Sequence, residues 1–190
     1  MKRSILMTVS VAALALASCG KKADPIVDNS STNTANAANA VAAQSVPAIS
    51  PGQAFANAAA ASDNFEIETS KLAAGSAASA ATKAFAQSMI KAHTDSTAKL
   101  KAAAGGAVPA ITPDPTLTPE QVQTLEALKG KEGAAFDAAY ADAQISAHQM
   151  TLDTLKAYAA SGDVASLKSF ASALVPIVTA HVNMAKGLKR

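Results

Sequence analysis

Small and apolar residues recur every three or four positions over four long stretches of this chain, a spacing typical of amphipathic helices. These stretches predict long helices at about residues 51–74, 77–104, 134–160 and 164–188. A short helix is predicted at about 119–128. The pattern therefore predicts an all-α fold.

Polar residues and prolines mark the predicted helix starts. Ser50 and Thr118 each precede a proline and stand three residues before a glutamine, which is the arrangement of a capping box. Asp163 is the predicted N-cap of the last helix. Glycines mark three of the predicted helix ends, namely Gly75, Gly105 and Gly162.

The connections between the predicted helices indicate their order in space. The turns at 75–76 and 161–163 are short, and short connections join antiparallel neighbours. Residues 105–118 carry three prolines, which predict an extended crossing loop. We expect an up-down-up-down four-helix bundle, with a kink at Pro176 inside the last helix.

The composition supports helices and excludes an extended β architecture. The chain has 49 alanines, no tryptophan and 4% aromatic residues. Alanine is the best helix former and is depleted in strands. Alanine-rich inner faces let helices approach closely but bury a modest apolar area per residue, so we expect ordinary stability.

The N-terminal residues predict export and lipidation. Lys2 and Arg3 precede a 13-residue apolar stretch, which is shorter than the roughly 20 residues of a membrane-spanning helix. Leu16-Ala17-Ser18-Cys19 then resembles the lipobox of bacterial lipoproteins. We predict a signal peptide over 1–18, a lipidated Cys19 with a flexible, disordered tether over 19–49, and a helical domain over 50–190. An ordinary signal peptide that ends near a cysteine is the alternative.

The predicted location follows from the lipid anchor. Gly20 after Cys19 resembles an outer-membrane sorting pattern, so we expect a periplasm-facing protein of the bacterial envelope whose partner is the membrane. Without residues 1–18 the chain has 14 basic and 14 acidic side chains and is formally neutral. A nucleic-acid binder needs a basic surface, so we expect no nucleic-acid partner. The sequence identifies no protein partner.

The three histidines are the candidate site. His93, His148 and His181 each fall on the inward stripe of a different predicted helix. If the first and last turns lie at one end of the bundle, the three residues are 18, 14 and 19 positions from it. At 1.5 Å per residue, they are within reach of one shared site. Glu66 is nine residues from that end and joins the site only if a helix is offset.

Neighbouring side chains indicate which metal such a site would take. Met89, Gln144 and Met184 each lie one helical turn from one of the histidines. Thioether and imidazole together are a soft ligand set, which favours copper, with zinc as the second choice. The predicted metal ligands are therefore the three histidines with Met89, Met184 and Glu66.

Other functions have weaker support in the sequence. The di-iron class of helical bundles uses Glu-x-x-His, but Ile90, Ile145 and Val178 stand three residues before the histidines, which disfavours a redox enzyme. No catalytic motif is present, so we expect a binding module and not an enzyme. Two alternatives stay open: a structural or partner-binding envelope protein with an inert polar core, and a site for another small ligand.

Short motifs along the predicted helices resemble one bacterial family. They are, in chain order, Phe65-Glu66-Ile67-Glu68 with Leu72, Phe85-Ala86 through Met89 to His93-Thr94, Phe136-Asp137 with Tyr140 and His148, and Pro176 with His181. Over about residues 50–188 the chain resembles an envelope family described only as domain-of-unknown-function family 4142. The resemblance implies a ferritin-like fold and export, and it implies no reaction. Its matching polar positions are Glu66, His93, Asp137, Tyr140, His148 and His181.

Overall fold

The computed structural model describes residues 49–189, which form five helices and no strand. The predicted all-α class is confirmed, and every helix end lies within three residues of its predicted position. The predicted signal peptide, Cys19 and the tether up to residue 48 lie outside the described residues. The helices are α1 (Pro51–Ser76), α2 (Ala80–Gly105), α3 (Pro119–Lys129), α4 (Gly133–Ser161) and α5 (Ala165–Gly187).

Two of the three predicted caps form. The side chains of Ser50 and Thr118 accept backbone N–H groups at the starts of α1 and α3, at 3.1 and 3.3 Å. The predicted Asp163 cap is wrong, because α5 begins after Val164 without a side-chain cap. The Asp163 carboxylate instead accepts a hydrogen bond from the Tyr158 hydroxyl at 2.8 Å, which closes the α4–α5 turn.

Contacts between helix ends determine the directions of the four long helices. Both α1 and α5 pack against α2 and against α4. The backbone N–H of Ser79, in the α1–α2 turn, donates to Asp137 near the start of α4 at 2.9 Å. Gly52, at the start of α1, lies beside Asp163 in the α4–α5 turn. The two short turns therefore lie at opposite ends, and α2 and α4 run in the same direction.

The predicted up-down-up-down order is wrong. The order is up, down, down, up, and residues 106–132 carry the chain from the end of α2 back to the opposite end, where α4 begins. α3 forms part of this connection and packs on α1 and α4. A connection of this length can span the long helices from end to end, whereas a tight turn would have forced α4 to run antiparallel to α2.

The core has an apolar cluster near each end and a polar layer between them. One cluster contains Phe55, Tyr158 and Phe170, with the first two rings stacked at a centroid distance of 3.9 Å. The other contains Phe136 and Tyr140, also stacked, at 5.6 Å. The residues between the clusters include the three histidines, which are all buried.

α5 is the most apolar of the long helices. Among residues 49–189 it alone is long and apolar enough to cross a membrane by length and composition. Its buried residues Leu167, Phe170 and Val178 pack in the core, and its helical structure continues through Pro176. α5 therefore packs its apolar face inside the folded domain.

Candidate metal centre

The three histidines come from three different helices and meet in the middle of the protein. Counted from the end that holds the α4–α5 turn, His93 is 12 residues from the end of α2 and His148 is 13 from the end of α4. His181 is 16 residues from the start of α5. At 1.5 Å per residue, this spread is on the order of 6 Å along the helices. One ring nitrogen of each histidine lies within 4.8 Å of those of the other two.

The hydrogen bonds of two rings determine where their lone pairs point. Nδ1 of His93 lies 2.8 Å from Oδ1 of Asp63, and Nδ1 of His148 donates to the backbone carbonyl of Gln144 at 2.8 Å. A carbonyl oxygen can only accept, so the proton of a neutral His148 is on Nδ1. Its Nε2 lone pair then faces Nε2 of His93, 3.4 Å away.

The surroundings of His93 favour its charged form more than those of the other two rings do. Burial opposes a charge on His93, but the hydrogen bond to Asp63 and the negative charges of Glu66 and Asp63 outweigh it and raise the pKa of His93. In its protonated form His93 has an N–H at both ring nitrogens, and its Nε2 faces the Nε2 lone pair of His148 at 3.4 Å.

The other two histidines stay neutral. Burial, together with the positive charge of His93, lowers the pKa of His148 to about 3 and that of His181 to about 4. Nδ1 of His181 is buried without a hydrogen-bond partner. A metal ion binds neutral imidazole, so these two rings already have the required protonation state.

Asp63 is a site residue that was not predicted from the sequence. It is buried and accepts hydrogen bonds from His93 and, at 3.1 Å, from the Thr97 hydroxyl. It stands three residues before Glu66 and four after Ala59, so helical spacing could have identified it as inward-facing.

Glu66 lies at the site without a helix offset. Its Oε1 is 3.5 Å from Nδ1 of His148, because the antiparallel packing of α1 and α4 brings the two residues to similar heights. Glu66 lies on the Nδ1 side of the His148 ring, whereas the Nε2 atoms of His93 and His148 face each other on the other side. This places Glu66 behind His148 and not beside it as a direct metal ligand. Burial raises the pKa of Glu66 to about 7, against the attraction of His93.

The two predicted methionine ligands have different surroundings. Met184 is 46% exposed, because the buried face of α5 continues through Val182 and Ala185. A helix has 3.6 residues per turn, so the sequence did not distinguish the third from the fourth residue after His181. Met89 is buried in the apolar cluster that contains Tyr140.

Other polar positions hold the helices together. The hydroxyls of Tyr140 and Ser70 are 2.8 Å apart and join α4 to α1. The amide of Gln144 donates to the hydroxyl of Thr69 at 3.2 Å and joins the same pair. These residues contribute to the polar layer without facing the histidine nitrogens.

One family model matches most of the chain. The family model described as Domain of unknown function (DUF4142) matches residues 34–188. The chain belongs to this family. The DUF4142 match includes all five helices and begins inside the segment that the sequence predicted as a tether. No curated protein and no solved structure matches the chain significantly. The DUF4142 description names no activity, so the function has to be argued from the site itself.

Proposed function

We propose that this DUF4142 protein binds one divalent transition-metal ion through His93, His148 and His181, and that it serves as a metal-binding module of the bacterial envelope. The observation that carries the proposal is the pair of Nε2 atoms of His93 and His148. They face each other at 3.4 Å while both Nδ1 atoms are engaged elsewhere.

The spacing of the nitrogens suits a metal ion. Two imidazole nitrogens on one tetrahedral ion, with bonds of about 2.0–2.1 Å, are roughly 3.3–3.4 Å apart. The third ring offers a nitrogen within 4.8 Å of the other two, so a small inward movement of His181 completes the set. A metal ion binds neutral imidazole, so binding of the ion would release a proton from any His93 that is in its charged form.

The groups behind the rings support the same function. A metal-bound histidine usually donates its other N–H to a carboxylate or a backbone carbonyl, which orients the ring. Asp63 provides that partner for His93, and the Gln144 carbonyl provides it for His148. Two carboxylates, Asp63 and Glu66, would balance the charge of a divalent ion in the buried layer.

The donor set favours copper(II) or zinc. Imidazole nitrogens suit both ions, and the general affinity order places Cu²⁺ above Zn²⁺. Met184 is exposed and does not provide a thioether ligand in the buried layer, so the preference for Cu²⁺ depends on the three nitrogens. One ion is expected, because α2, α4 and α5 each contribute a single histidine and both carboxylates come from α1.

The fold proposed for this module is a ferritin-like four-helix bundle. Ferritin-like folds have four long helices and one long crossover connection. The up, down, down, up order of α1, α2, α4 and α5 and the passage over residues 106–132 support that assignment.

Metal loading of the untagged full chain tests the proposal. We would use the Cys19→Ser background, which removes the only thiol of the chain as a competing ligand. We expect one equivalent of Cu²⁺ or Zn²⁺ by elemental analysis, a raised melting temperature, and nitrogen hyperfine coupling in the Cu²⁺ electron paramagnetic resonance spectrum. His148→Gln and His181→Gln should weaken binding at least about 100-fold, and the exposed Met184→Leu should not.

The controls separate a folding defect from a lost ligand. Circular dichroism of each metal-free variant has to show native helix content before its affinity is compared with the parent. Absence of stoichiometric metal in the folded parent, or full binding by folded His148→Gln, would contradict the proposal.

We further propose that Cys19 carries a lipid, that the protein faces the periplasm from the outer membrane, and that it acts as a binding module and not as an enzyme. The support is the Leu16-Ala17-Ser18-Cys19 sequence and the lack of a catalytic motif in the sequence. Labelling of cells with a fatty-acid analogue should mark the parent and not Cys19→Ser. Label that persists in Cys19→Ser would rule out this anchor.

A further inference from the structure

A narrow crevice between α2 and α5 leads towards the histidines. At its outer end are half-buried Ala92 and Ile177, which is 41% exposed. At its inner end are Asp63, His93 and His181. Its volume is about 30 Å³. A buried water needs about 10–15 Å³ of such space, so the crevice has room for one or two waters.

The number of protein donors indicates an open coordination position. Structural zinc sites have four protein ligands, whereas sites that bind an exchangeable molecule have three and leave the fourth position to water or substrate. Among residues 49–189, the cluster of potential metal ligands with convergent nitrogens contains three histidines. A tetrahedral ion held by them would therefore lack one ligand.

The fourth coordination position of the ion can face the crevice. His93 and His181 line it, and the hydroxyl-bearing Ser96 and Thr151 lie along it as possible hydrogen-bond partners for a bound molecule. A second cavity of about 520 Å³ lies between α1, α3 and α4, but none of the three histidines lines it. The smaller crevice is thus the one through which a molecule would reach the nitrogens.

We propose that the α2–α5 crevice is the entrance to the metal centre and that its inner end holds an exchangeable ligand of one or two non-hydrogen atoms, with water as the resting occupant. This inference rests on the proposed function, since it assigns the fourth position of the same metal ion. The small volume of the crevice excludes larger ligands, and the apolar walls formed by Phe170, Leu174 and Val178 disfavour charged ones.

Two variants on α2 separate the inner end of the crevice from its mouth. Ser96→Leu fills the buried part of the crevice, and Ala92→Leu narrows the mouth. Ala98→Leu is the matched control, since Ala98 is exposed on the same helix and does not line the crevice. All three variants are made in the full chain and loaded with Cu²⁺, with metal content measured for each.

Pulsed electron paramagnetic resonance in D₂O reports the coordinated water. We expect a deuterium modulation from directly bound water in the parent and in Ala98→Leu, and its loss in Ser96→Leu with copper still bound. Stopped-flow mixing reports entry, and we expect Ala92→Leu to capture Cu²⁺ about tenfold more slowly than Ala98→Leu at unchanged stoichiometry.

The outcomes distinguish this inference from the metal proposal. A parent that binds one Cu²⁺ without a coordinated water would overturn the open position and leave the metal site intact. Equal capture rates in Ala92→Leu and Ala98→Leu would overturn the entrance. A parent that binds no metal would remove the proposed function and this inference with it. Should Ser96→Leu misfold, the parent spectrum and the Ala92→Leu rate still decide the question.

Discussion

Replacing Glu66 by glutamine tests the electrostatics of the centre in the metal-free protein. Glu66 is 1% exposed, and neither carboxylate oxygen has a hydrogen-bond partner. Burial raises its pKa from the ordinary value of 4.5 to about 7, with the charge of His93 acting in the opposite direction. The folded protein therefore binds the Glu66 proton more tightly than the unfolded chain does.

The sign and size of the effect follow from this difference. The stability that protonated Glu66 contributes is fully present below pH 4.5 and is lost as the pH rises through about 7. The loss by about pH 8.5 amounts to about 3 kcal/mol. Glutamine has nearly the same shape and no charge, so Glu66→Gln keeps this stability at every pH. We expect the variant to be about 3 kcal/mol more stable than the parent near pH 8.5, and within about 1 kcal/mol of it near pH 5.

Urea denaturation followed by circular dichroism, with a chelator present, measures the free energy of unfolding across this pH range. Glu68→Gln on the same helix is the matched control, because the Glu68 side chain is 40% exposed, and its curve should follow that of the parent. Parallel curves for Glu66→Gln and the parent from pH 5 to 8.5 would refute the reasoning, since Glu66 would then be ionised without cost in the folded protein.

Three further predictions concern the surroundings of the site and the turns. Because burial lowers the pKa of His181 to about 4, the metal-free protein should lose stability as the pH falls from 6.5 towards 4. The free energy of unfolding of His181→Gln should fall less over this range, and equal losses in urea denaturation would contradict the prediction. Tyr140→Phe leaves the buried Ser70 hydroxyl without its partner and should lower the free energy of unfolding by about 1–3 kcal/mol in the same assay. Tyr158→Phe should cost less, because its partner Asp163 reaches solvent, and the reverse order would be inconsistent with the burial of the Tyr140 hydroxyl. Gly162→Ala should destabilise the protein by about 1–3 kcal/mol, because the new Cβ would come within 2.6 Å of the Tyr158 carbonyl oxygen. A Cβ at Gly75 has nothing within 4 Å, so Gly75→Ala should be neutral or stabilising by up to about 1 kcal/mol, and similar melting temperatures for both variants would argue against the tight α4–α5 turn.

Helix positions and the inward orientation of most large residues could be predicted from the sequence because they depend on local spacing. Phe85, His93 and Leu100 follow one another at helical intervals on α2, and all three are buried. The capping residues Ser50 and Thr118 act on N–H groups only three positions away. Interactions of this range are determined by residues that are neighbours in the chain.

The exact inner face was harder to predict where large and small residues compete. On α5 the sequence favoured Met184, but its neighbour Ala185 is buried. On α1 Asp63 is buried while its neighbour Ser62 is only half-buried. A shift of one residue rotates a helix face by about 100°, and the neighbouring helix decides which of two adjacent positions it covers.

The sequence by itself determined five helices, their ends within three residues, and three histidines on inward faces, since helical periodicity and caps are local properties. Only the tertiary structure decided that α2 and α4 run in the same direction, because a long proline-containing connection is compatible with either direction. That choice brings α1 alongside α4 in the antiparallel sense, and it places Glu66 beside His148 while Asp63 on the same helix meets His93. The histidines were visible in the sequence, but their carboxylate partners and the 3.4 Å contact between the Nε2 atoms of His93 and His148 arise from packing between residues 30 to 82 positions apart in the chain.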